Sequence, residues 1–268
     1  MMRKASYQHS VRYLFSHWKI LFRVTWNELM SRYAGSLFGI GWAFLTPLVI
    51  LAIYSVVYSI IFRIEVPGLT RTQYILLIFA GLVPFLMTGE AISSGVSSVL
   101  ANRAILSNTV FPVDLIPPKA VLMSQVTMAV GVGITLIALM WTKMITATVL
   151  FLPFIWFLHI MALLGITWII SLINLVFRDL QNLVSPIIMI LMIISPIAYT
   201  PEMVPPGLKF LVLLNPFAYY IIIYQKVLIL GQMPEIMEWT AVLSLSLSLF
   251  WFGGWFFIRA KRSLIDYV

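Results

Sequence analysis

Long apolar runs, separated by short polar connections, dominate the chain from about residue 37 onward. Each run holds roughly the 20 residues that an α-helix needs to cross the hydrocarbon core of a bilayer. One such run also fits a buried helix of a soluble protein, but a succession of them predicts an all-α polytopic membrane protein. Six membrane-spanning helices are predicted, with approximate boundaries at residues 37–62, 73–100, 117–141, 147–174, 183–200 and 238–258.

The stretch HWKILFRVTWNELMSRY (residues 17–33), just before the first apolar run, has an amphipathic pattern. Lys19, Arg23, Asn27 and Arg32 fall outside an apolar face that is spaced as in a helix. This face comprises Trp18, Leu21, Phe22, Thr25, Trp26, Leu29 and Met30. Such a helix carries too many charges to span a bilayer, so an N-terminal amphipathic interfacial helix is predicted in the headgroup layer. It serves either as a membrane anchor alone or also as a contact for a cytoplasmic partner.

The stretch SPIAYTPEMVPPG (residues 195–207), at the end of the fifth run, contains four prolines. The sequences LKFLVLL and FAYYIIIY that follow are apolar enough to enter the membrane, but residues 201–231 are too few for two ordinary spans. We therefore predict two short re-entrant helices on the outer face between spans five and six, bent at Asn215 and Pro216. Because non-helical backbone at membrane depth must be buried or line a cavity, this segment also predicts a pore mouth.

Composition and charge agree with this topology. The chain is 62% hydrophobic and 10% charged, and its mean hydropathy is +1.02. Lys and Arg number 12 on the side of the two termini and 5 on the opposite side, which places both termini in the cytoplasm. A single transmembrane domain over residues 1–268 is expected, with an N-terminal cytoplasmic and interfacial segment (1–36), the six-span bundle (37–258) and a cytoplasmic tail (259–268).

Several kinds of chemistry lack the residues they need. The chain has no cysteine, and His9, His17 and His159 form no cluster with the spacing of metal ligands. No phosphate-binding GxxxxGK[ST] motif is present, so the energy for any pump must come from another polypeptide. The acidic residues are scattered over both predicted faces, which disfavours a membrane-embedded enzyme. No catalytic, cofactor-binding or metal-binding residues are predicted.

Four local stretches carry a family resemblance. They are RYAGSLFGIGWAFLTPL (residues 32–48), NRAILSNTVFPVDLIPP (102–118), FRDLQNLV (177–184) and SPIAYTPEMVPPGLKFLVLLNPFAYYI (195–221). In this order, and over nearly the whole length, they resemble the permease subunit of ABC-2 type polysaccharide exporters, which move O-antigen, capsular polysaccharide or teichoic acid. The sequence departs from the family pattern at Ala34, where a Lys is usual, and at Val113, where a basic residue is usual. These departures affect details of subunit contact.

The resemblance implies a homodimer of six-span subunits, docked to two copies of a separate nucleotide-binding subunit in the bacterial cytoplasmic (inner) membrane. That partner would bind ATP and Mg²⁺, so this chain would be a transport subunit with no cofactor of its own and no nucleic-acid partner. The expected substrate is a lipid-linked polysaccharide, O-antigen first, with capsular polysaccharide and teichoic acid as alternatives. A membrane-embedded transferase and a passive channel are the alternatives outside this class.

Coupling to the ATPase subunit is expected at two cytoplasmic connections. In the first, a short helix over about residues 102–108 would lie on the membrane face and act as a rigid lever; a plain connecting loop is the alternative. In the second, the charged pair after the fourth span either contacts the partner or caps the helix. The candidate coupling residues are Asn102, Arg103, Leu106, Phe111, Asp114, Arg178 and Asp179.

A channel for a sugar polymer needs aromatic surfaces and hydroxyl groups with few fixed charges, because strong point binding would stop the polymer from leaving. The candidate lining residues are Phe38, Trp42, Tyr54, Tyr58, Phe62, Glu90, Tyr199, Phe217, Tyr219 and Tyr220. Aromatic residues at the outer end also fit an interfacial belt. An acid such as Glu90 within a span normally faces the bundle interior or a wet cavity. The small polar residues around it fit either that cavity or close helix packing.

The proline-rich stretch and the bend after it form a candidate outer gate. Its residues are Pro201, Glu202, Pro205, Pro206, Gly207, Asn215 and Pro216. In this interpretation Pro196 loosens the end of the fifth span, and the later prolines turn the chain back toward the membrane. Glu202 would either bind sugar hydroxyls or keep the turn in water.

Overall fold

The computed structural model describes residues 17–102 and 113–265, and all regular secondary structure within these ranges is helical. The α-helices are α1 (Trp18–Tyr33), α2 (Trp42–Tyr54), α3 (Arg71–Ala101), α4 (Ile116–Trp141), α5 (Leu152–Val176), α6 (Leu180–Ile194), α7 (Lys209–Leu214), α8 (Pro216–Gln225) and α9 (Ile236–Ile265). Two of them continue as π-helices, α2 through Ser55–Ile61 and α8 through Lys226–Leu230.

Five helical segments in the described part of the chain are long and apolar enough to cross a membrane, so the protein is a multi-pass membrane protein. They correspond to predicted spans one to four and six. They are Gly39–Ile61, Arg71–Ala101, Val113–Trp141, Ala147–Val176 and Ile236–Lys261. A sixth crossing is counted if α7 and α8, which meet at an angle of 95°, are taken as one bent span.

The predicted fifth span differs from the observed helix. Helix α6 has 15 residues, or about 22 Å at 1.5 Å per residue, which is short of the roughly 30 Å hydrocarbon core. It ends at Ile194 rather than near residue 200 because Ser195, which precedes Pro196, adopts an extended conformation. A residue before proline is driven out of the helical region by contact with the proline ring. Residues 195–200 therefore follow α6 as non-helical backbone.

Helix α3 forms the centre of the bundle and packs against α4, α5 and α8. Its first turn is fixed by a capping box, in which the Thr70 side chain accepts from Gln73 N while the Gln73 side chain accepts from Thr70 N. Pro84 lies inside the helix, as the sequence indicates. The hydroxyl of Thr88 donates to the Pro84 carbonyl oxygen at 2.8 Å.

Helices α5 and α9 run alongside each other with their backbones in close contact. A Cβ atom on Gly165 would overlap the carbonyl group of Leu249, and one on Gly253 would overlap the backbone of Gly165. Small residues at such a crossing allow the van der Waals contact that drives helix association in a membrane.

Helices α2 and α6 lie at the side of the bundle and bury little of their surface. Helix α2 buries only Ala43 and Pro47, and α6 buries only Val184. By contrast, α1 docks on α4 through Leu21, Thr25 and Leu29, one part of its predicted apolar face. The aromatic residues of that face, including Trp18 and Trp26, remain exposed.

The two ends of the bundle are named here by their elements. The inner end holds α1, the last turn of α3, the first turn of α4, the α5–α6 turn and the last turn of α9. This is the end that the Lys and Arg distribution assigns to the cytoplasm. The outer end holds the α2–α3 connection and the segments that join α6 to α9.

Candidate functional site

One face of α2 and its π-helical continuation carries a stripe of side chains spaced four residues apart, here called the α2 stripe. It comprises Trp42, Thr46, Ile50, Tyr54, Tyr58 and Phe62. The ring centroids of Tyr54 and Tyr58 lie 5.5 Å apart in a stacked arrangement, and those of Tyr58 and Phe62 lie 5.8 Å apart, edge to face. At the inner end, the rings of Phe38 and Trp42 are 5.6 Å apart.

The change from α-helix to π-helix keeps this stripe on one face. In an α-helix, with 3.6 residues per turn, a step of four residues overshoots one turn, so the stripe drifts around the axis. A π-helix has more residues per turn, so the same step falls short of one turn and the drift reverses. The π-helical segment Ser55–Ile61 begins just after Tyr54. The aromatic outer half of the stripe thus stays aligned with its inner half.

The inner half of the stripe borders a cleft of about 480 Å³ between α2, α3 and α6, here called the inner cleft. Trp42, Thr46 and Ile50 form one wall, and residues of α6 such as Ser185 and Met192 form the other. The hydroxyl groups in the cleft come from Tyr33, Thr46, Ser93, Ser94, Thr127 and Ser185. Helices α2 and α6, which contribute to its lining, bury little surface within the chain.

Glu90 lies in the inner cleft and is ion-paired with Arg32 from the end of α1. Its second carboxylate oxygen accepts a hydrogen bond from the Thr127 hydroxyl at 2.6 Å. An acid in a span was predicted to face an interior or a cavity, but the sequence did not indicate Arg32 as its partner. The charges of Arg32 and Glu90 neutralise each other. The other polar side chains that line the cleft carry hydroxyl groups.

Some of the small polar residues around Glu90 line the cleft and others pack against a neighbouring helix, so both predicted roles occur. Ser93 and Ser94 line the inner cleft. Gly95, in contrast, packs so tightly on α5 that an added Cβ would lie 2.5 Å from Thr167 Cγ2, and the Ser98 hydroxyl donates to the Gly95 carbonyl. One side of α3 thus faces the cleft while the other packs against α5.

Tyr199, also a predicted lining residue, lies in the break after α6. The Tyr199 hydroxyl donates to the carbonyl oxygen of Ile194, the last residue of α6. Tyr54 and Tyr58 are thus stacked on the α2 stripe, whereas Tyr199 is bonded to the end of α6.

Three other predicted lining residues lie away from the stripe. Tyr220 is 2% exposed, its hydroxyl is 2.6 Å from Ser246 Oγ, and its ring stacks on His159 at 4.2 Å. Phe217 is also buried. Tyr219 lies in a second cleft, at the outer end, and its hydroxyl donates to the Leu213 carbonyl. The aromatic run FAYYI thus contributes mainly to the packing of α8 because α8 is covered by α3, α5 and α9.

Side chains from other helices satisfy the backbone of the break after α6. The Tyr74 hydroxyl donates to the Ala198 carbonyl at 2.7 Å. Gln225 Nε2 donates to the carbonyls of Pro196 and Ile197, each at 3.1 Å. Asn215 Nδ2 donates to Ser195 Oγ at 2.8 Å. Since buried backbone carbonyls need partners, these contacts explain how the chain can leave the helix here.

The candidate outer gate consists of short turns. Pro201–Met203 and Pro206–Leu208 are single 3₁₀ turns, and most of their residues, together with Pro205 and Gly207, are exposed. Asn215 is buried and caps α8 by accepting from Phe217 N at 3.0 Å, directly before Pro216. A hydrogen bond from the Thr200 side chain lowers the pKa of Glu202, and Lys226 and Lys209 lower it further. Glu202 is thus held as a carboxylate beside two lysines.

Charged contacts tie the elements of the inner end together. Lys119, which is 5% exposed, pairs with Glu28 of α1 and donates to Asn102 Oδ1 at 3.3 Å. Lys261 of α9 bonds both oxygens of Asp114, at 2.7 and 2.8 Å.

The other predicted coupling residues differ in what the structure describes of them. Arg178 and Asp179 lie exposed on the α5–α6 turn. Arg103, Leu106 and Phe111 lie outside the described residues.

Sequence reasoning missed the partner of Glu90, the buried Lys119 and Gln225. A lone amide at the end of the apolar run FAYYIIIYQ is a signal that could have identified Gln225, since an uncompensated amide at that depth is costly. The pairing of α1 with α3 and α4 leaves no local signal, because it depends on how separate helices meet.

A helical bundle with five segments of span length among the described residues defines a multi-pass membrane protein. The chain belongs to the ABC-2 type transporter family, whose sequence profile matches residues 20–229.

Three curated relatives are similar over most of their length, and each is named O-antigen export system permease protein RfbA. Two come from Klebsiella pneumoniae: one is 28% identical over 84% of this chain and 84% of its own length, and the other is 26% identical over 84% and 85%. The third, from Myxococcus xanthus, is 24% identical over 96% of this chain and 98% of its own. The resemblance inferred from the four stretches is thereby confirmed.

Proposed function

We propose that this protein is the membrane-spanning subunit of an ATP-driven exporter that moves a lipid-linked polysaccharide, O-antigen, across the bacterial cytoplasmic membrane. The family match supports the transporter class. The relatives that cover 84% or more of the chain, all named as O-antigen export permeases, support the substrate.

The observation that carries the proposal is the continuity of the α2 stripe with the inner cleft. Sugar rings have apolar faces that stack on aromatic side chains, and their hydroxyls exchange hydrogen bonds with Ser and Thr. The stripe supplies the aromatic rings in its outer half, and the cleft supplies the hydroxyls in its inner half. The charges of Arg32 and Glu90 neutralise each other. A polymer can therefore slide along this surface without meeting a strong point charge.

The same surface supports a homodimer. The inner cleft is lined in part by α2 and α6, which bury little surface within one chain. Apolar side chains there can face lipid, but hydroxyls and an ion pair in contact with lipid are costly. A second copy packed against this side would enclose the cleft and form a channel between the two subunits.

We place the inner end in the cytoplasm, where two copies of a separate nucleotide-binding subunit would bind ATP and Mg²⁺. The excess of Lys and Arg at this end supports the orientation. The contacts of α1 with α3 and α4 support a mechanical role, because a force on α1 would act directly on Glu90 in the inner cleft through Arg32.

The proposal is tested by deleting the gene in its native host and locating the polysaccharide. If the protein exports the polymer, lipid-linked polymer is expected to accumulate on the cytoplasmic side of the deletion strain. A plasmid that carries the gene is expected to restore the polymer to the cell surface. Absence of polymer synthesis would indicate a transferase instead, and normal surface polymer would refute the export function. Sugar analysis of the accumulated polymer distinguishes O-antigen from capsular polysaccharide or teichoic acid.

A further inference from the structure

Gln225, the last residue of α8, joins three separate parts of the outer half of the bundle. Its side chain is 4% exposed. Its Nε2 atom donates to the carbonyl oxygen of Leu77 in α3 at 3.3 Å, and to those of Pro196 and Ile197 in the break after α6, each at 3.1 Å. An amide nitrogen carries two hydrogens, so these are shared among three acceptors.

The three acceptors depend on this side chain to different degrees. The Leu77 carbonyl lies inside a helix that contains Pro84. Because proline has no N–H, Pro84 leaves the carbonyl four residues before it, that of Ala80, without its helical donor. The Leu77 carbonyl is not affected in this way. Its bond from Gln225 is therefore additional to the hydrogen bonds of the helix. Pro196 and Ile197, in contrast, lie in backbone that is neither helix nor strand. Their carbonyls are the ones that would lose a buried hydrogen-bond donor without Gln225.

Gly81 provides the space that the Gln225 amide occupies. A Cβ atom at position 81 would lie 2.7 Å from Gln225 Nε2 and 2.9 Å from Ile221 Cγ2. Glycine is unfavourable inside a helix by itself, so close approach of another group is the physical reason for it here. Any larger residue at this position would push the amide away from its acceptors.

The break that Gln225 holds carries Tyr199, three residues beyond Pro196. Ala198, next to Tyr199, is 2% exposed. The break follows directly on α6, whose residues Ser185 and Met192 line the inner cleft. The conformation of the break therefore sets where α6 ends beside the inner cleft.

We propose that Gln225 is a positioning residue for export, which holds the break after α6 and so fixes the end of the helix that lines the inner cleft. The proposal rests on the proposed export function. It assigns to Gln225 no contact with the polymer; Gln225 acts through the backbone that ends α6.

Thiol labelling tests the position of the break without depending on transport. Because the chain has no cysteine, Ala198→Cys introduces a unique thiol at a buried site in the break. It is combined with Gln225→Met, which keeps the side-chain length but removes the donor, and separately with Gly81→Ala, which keeps the amide but displaces it. Cells are treated from outside with a membrane-impermeant maleimide.

Gly133→Ala is the matched control, because it makes the same substitution in helix α4, where an added Cβ meets nothing within 4 Å. Labelling of the introduced thiol is expected to be slow in the Ala198→Cys parent and in the control. It is expected to be roughly tenfold faster in Gln225→Met and Gly81→Ala, since a buried hydrogen bond of typical strength has been lost. Export per molecule of membrane-inserted protein is measured in the same cells and is expected to fall in these two variants.

Unchanged labelling in both Gln225→Met and Gly81→Ala would overturn the proposal, as would faster labelling with normal export. A merely structural role would reduce the amount of inserted protein while leaving labelling and export per molecule unchanged. Failure of the export function itself is recognised separately, because the unmodified chain would then not restore surface polymer to the deletion strain.

Discussion

Single side chains determine what the open side of the bundle presents to a substrate. The α2 stripe was largely predictable because Tyr54, Tyr58 and Phe62 follow one another at a helical spacing that the sequence displays directly. The ion pair between Arg32 and Glu90 was not, since these residues lie on helices that are distant in sequence. Local patterns identify which residues share a face of a helix, but they do not identify what that face meets.

Replacing the outer tyrosines of the stripe tests whether they line a polymer path or belong to an interfacial belt. The double variant Tyr54→Ala/Tyr58→Ala is expected to lower export by about tenfold, because the sugar rings lose two aromatic surfaces and each ~1.4 kcal/mol of lost binding is a factor of ten. The control is Trp141→Ala, which removes an exposed aromatic ring at the outer end of α4, away from the stripe. Surface polymer is measured at equal amounts of inserted protein. An equal loss of surface polymer in the double variant and in Trp141→Ala would favour the interfacial belt.

The ion pair of the inner cleft predicts a non-additive effect on stability. Glu90→Gln leaves Arg32 without its counter-ion, whereas Arg32→Gln/Glu90→Gln removes both charges. Because the Arg32 side chain is 46% exposed, solvent screening limits the difference to about 1 kcal/mol or less. The single variant is expected to unfold at a lower temperature than the double variant in detergent. A double variant that is as unstable as the sum of the single changes would show that the charges are not coupled.

Glu202 predicts a dependence of stability on pH. The Thr200 hydrogen bond lowers the pKa of Glu202 in the folded protein, so its stabilising contribution is full above the unfolded-state pKa of about 4.3. That contribution is lost as the pH falls through the lowered folded-state value. On acidification from pH 7 to about pH 3.5, Glu202→Gln is therefore expected to lose less thermal stability than the unmodified protein. An equal loss in both proteins would contradict this role of Glu202.

At the scale of helices, the break after α6 was predicted from the sequence in part. Pro196 correctly predicted that the helix is disturbed, because its effect on Ser195 is local. The helix ends at Ile194, earlier than expected, and the sequence did not show that Tyr74, Gln225 and Tyr199 supply partners for the freed carbonyls. The π-helical continuation of α2 was not predicted, because its hydrogen-bond pattern differs by one residue from that of an α-helix and has no characteristic composition.

Close packing of α5 on α9 predicts a strong effect of a single methyl group. In Gly165→Ala the added Cβ would overlap the Leu249 carbonyl, so the helices must separate at a cost of about 1–3 kcal/mol. Gly133→Ala, with open space around it, is expected to be neutral or slightly stabilising. Thermal unfolding in detergent measures both. Equal stability of the two variants would show that the crossing tolerates separation.

At the scale of the whole molecule, the apolar runs predicted the all-helical membrane fold because burial in lipid requires long uninterrupted apolar segments. They did not separate the lipid-facing surface from the surface that we propose to pair with a second copy, because both are apolar in sequence. That distinction emerges only when Thr46, Ser93 and Ser185 meet on one open cleft. A channel assembled from several helices has no signature on any one of them.

The central claim is that the exported polymer passes along the α2 stripe and the inner cleft. Its most direct test is a photo-crosslinking amino acid placed in turn at Thr46, Tyr58 and Trp141 in cells that are exporting polymer. We expect polymer-linked protein at Thr46 and Tyr58 and none at Trp141, which lies outside the stripe. Crosslinks at Trp141 as strong as those at the stripe, or none at Thr46 and Tyr58 during active export, would contradict this path.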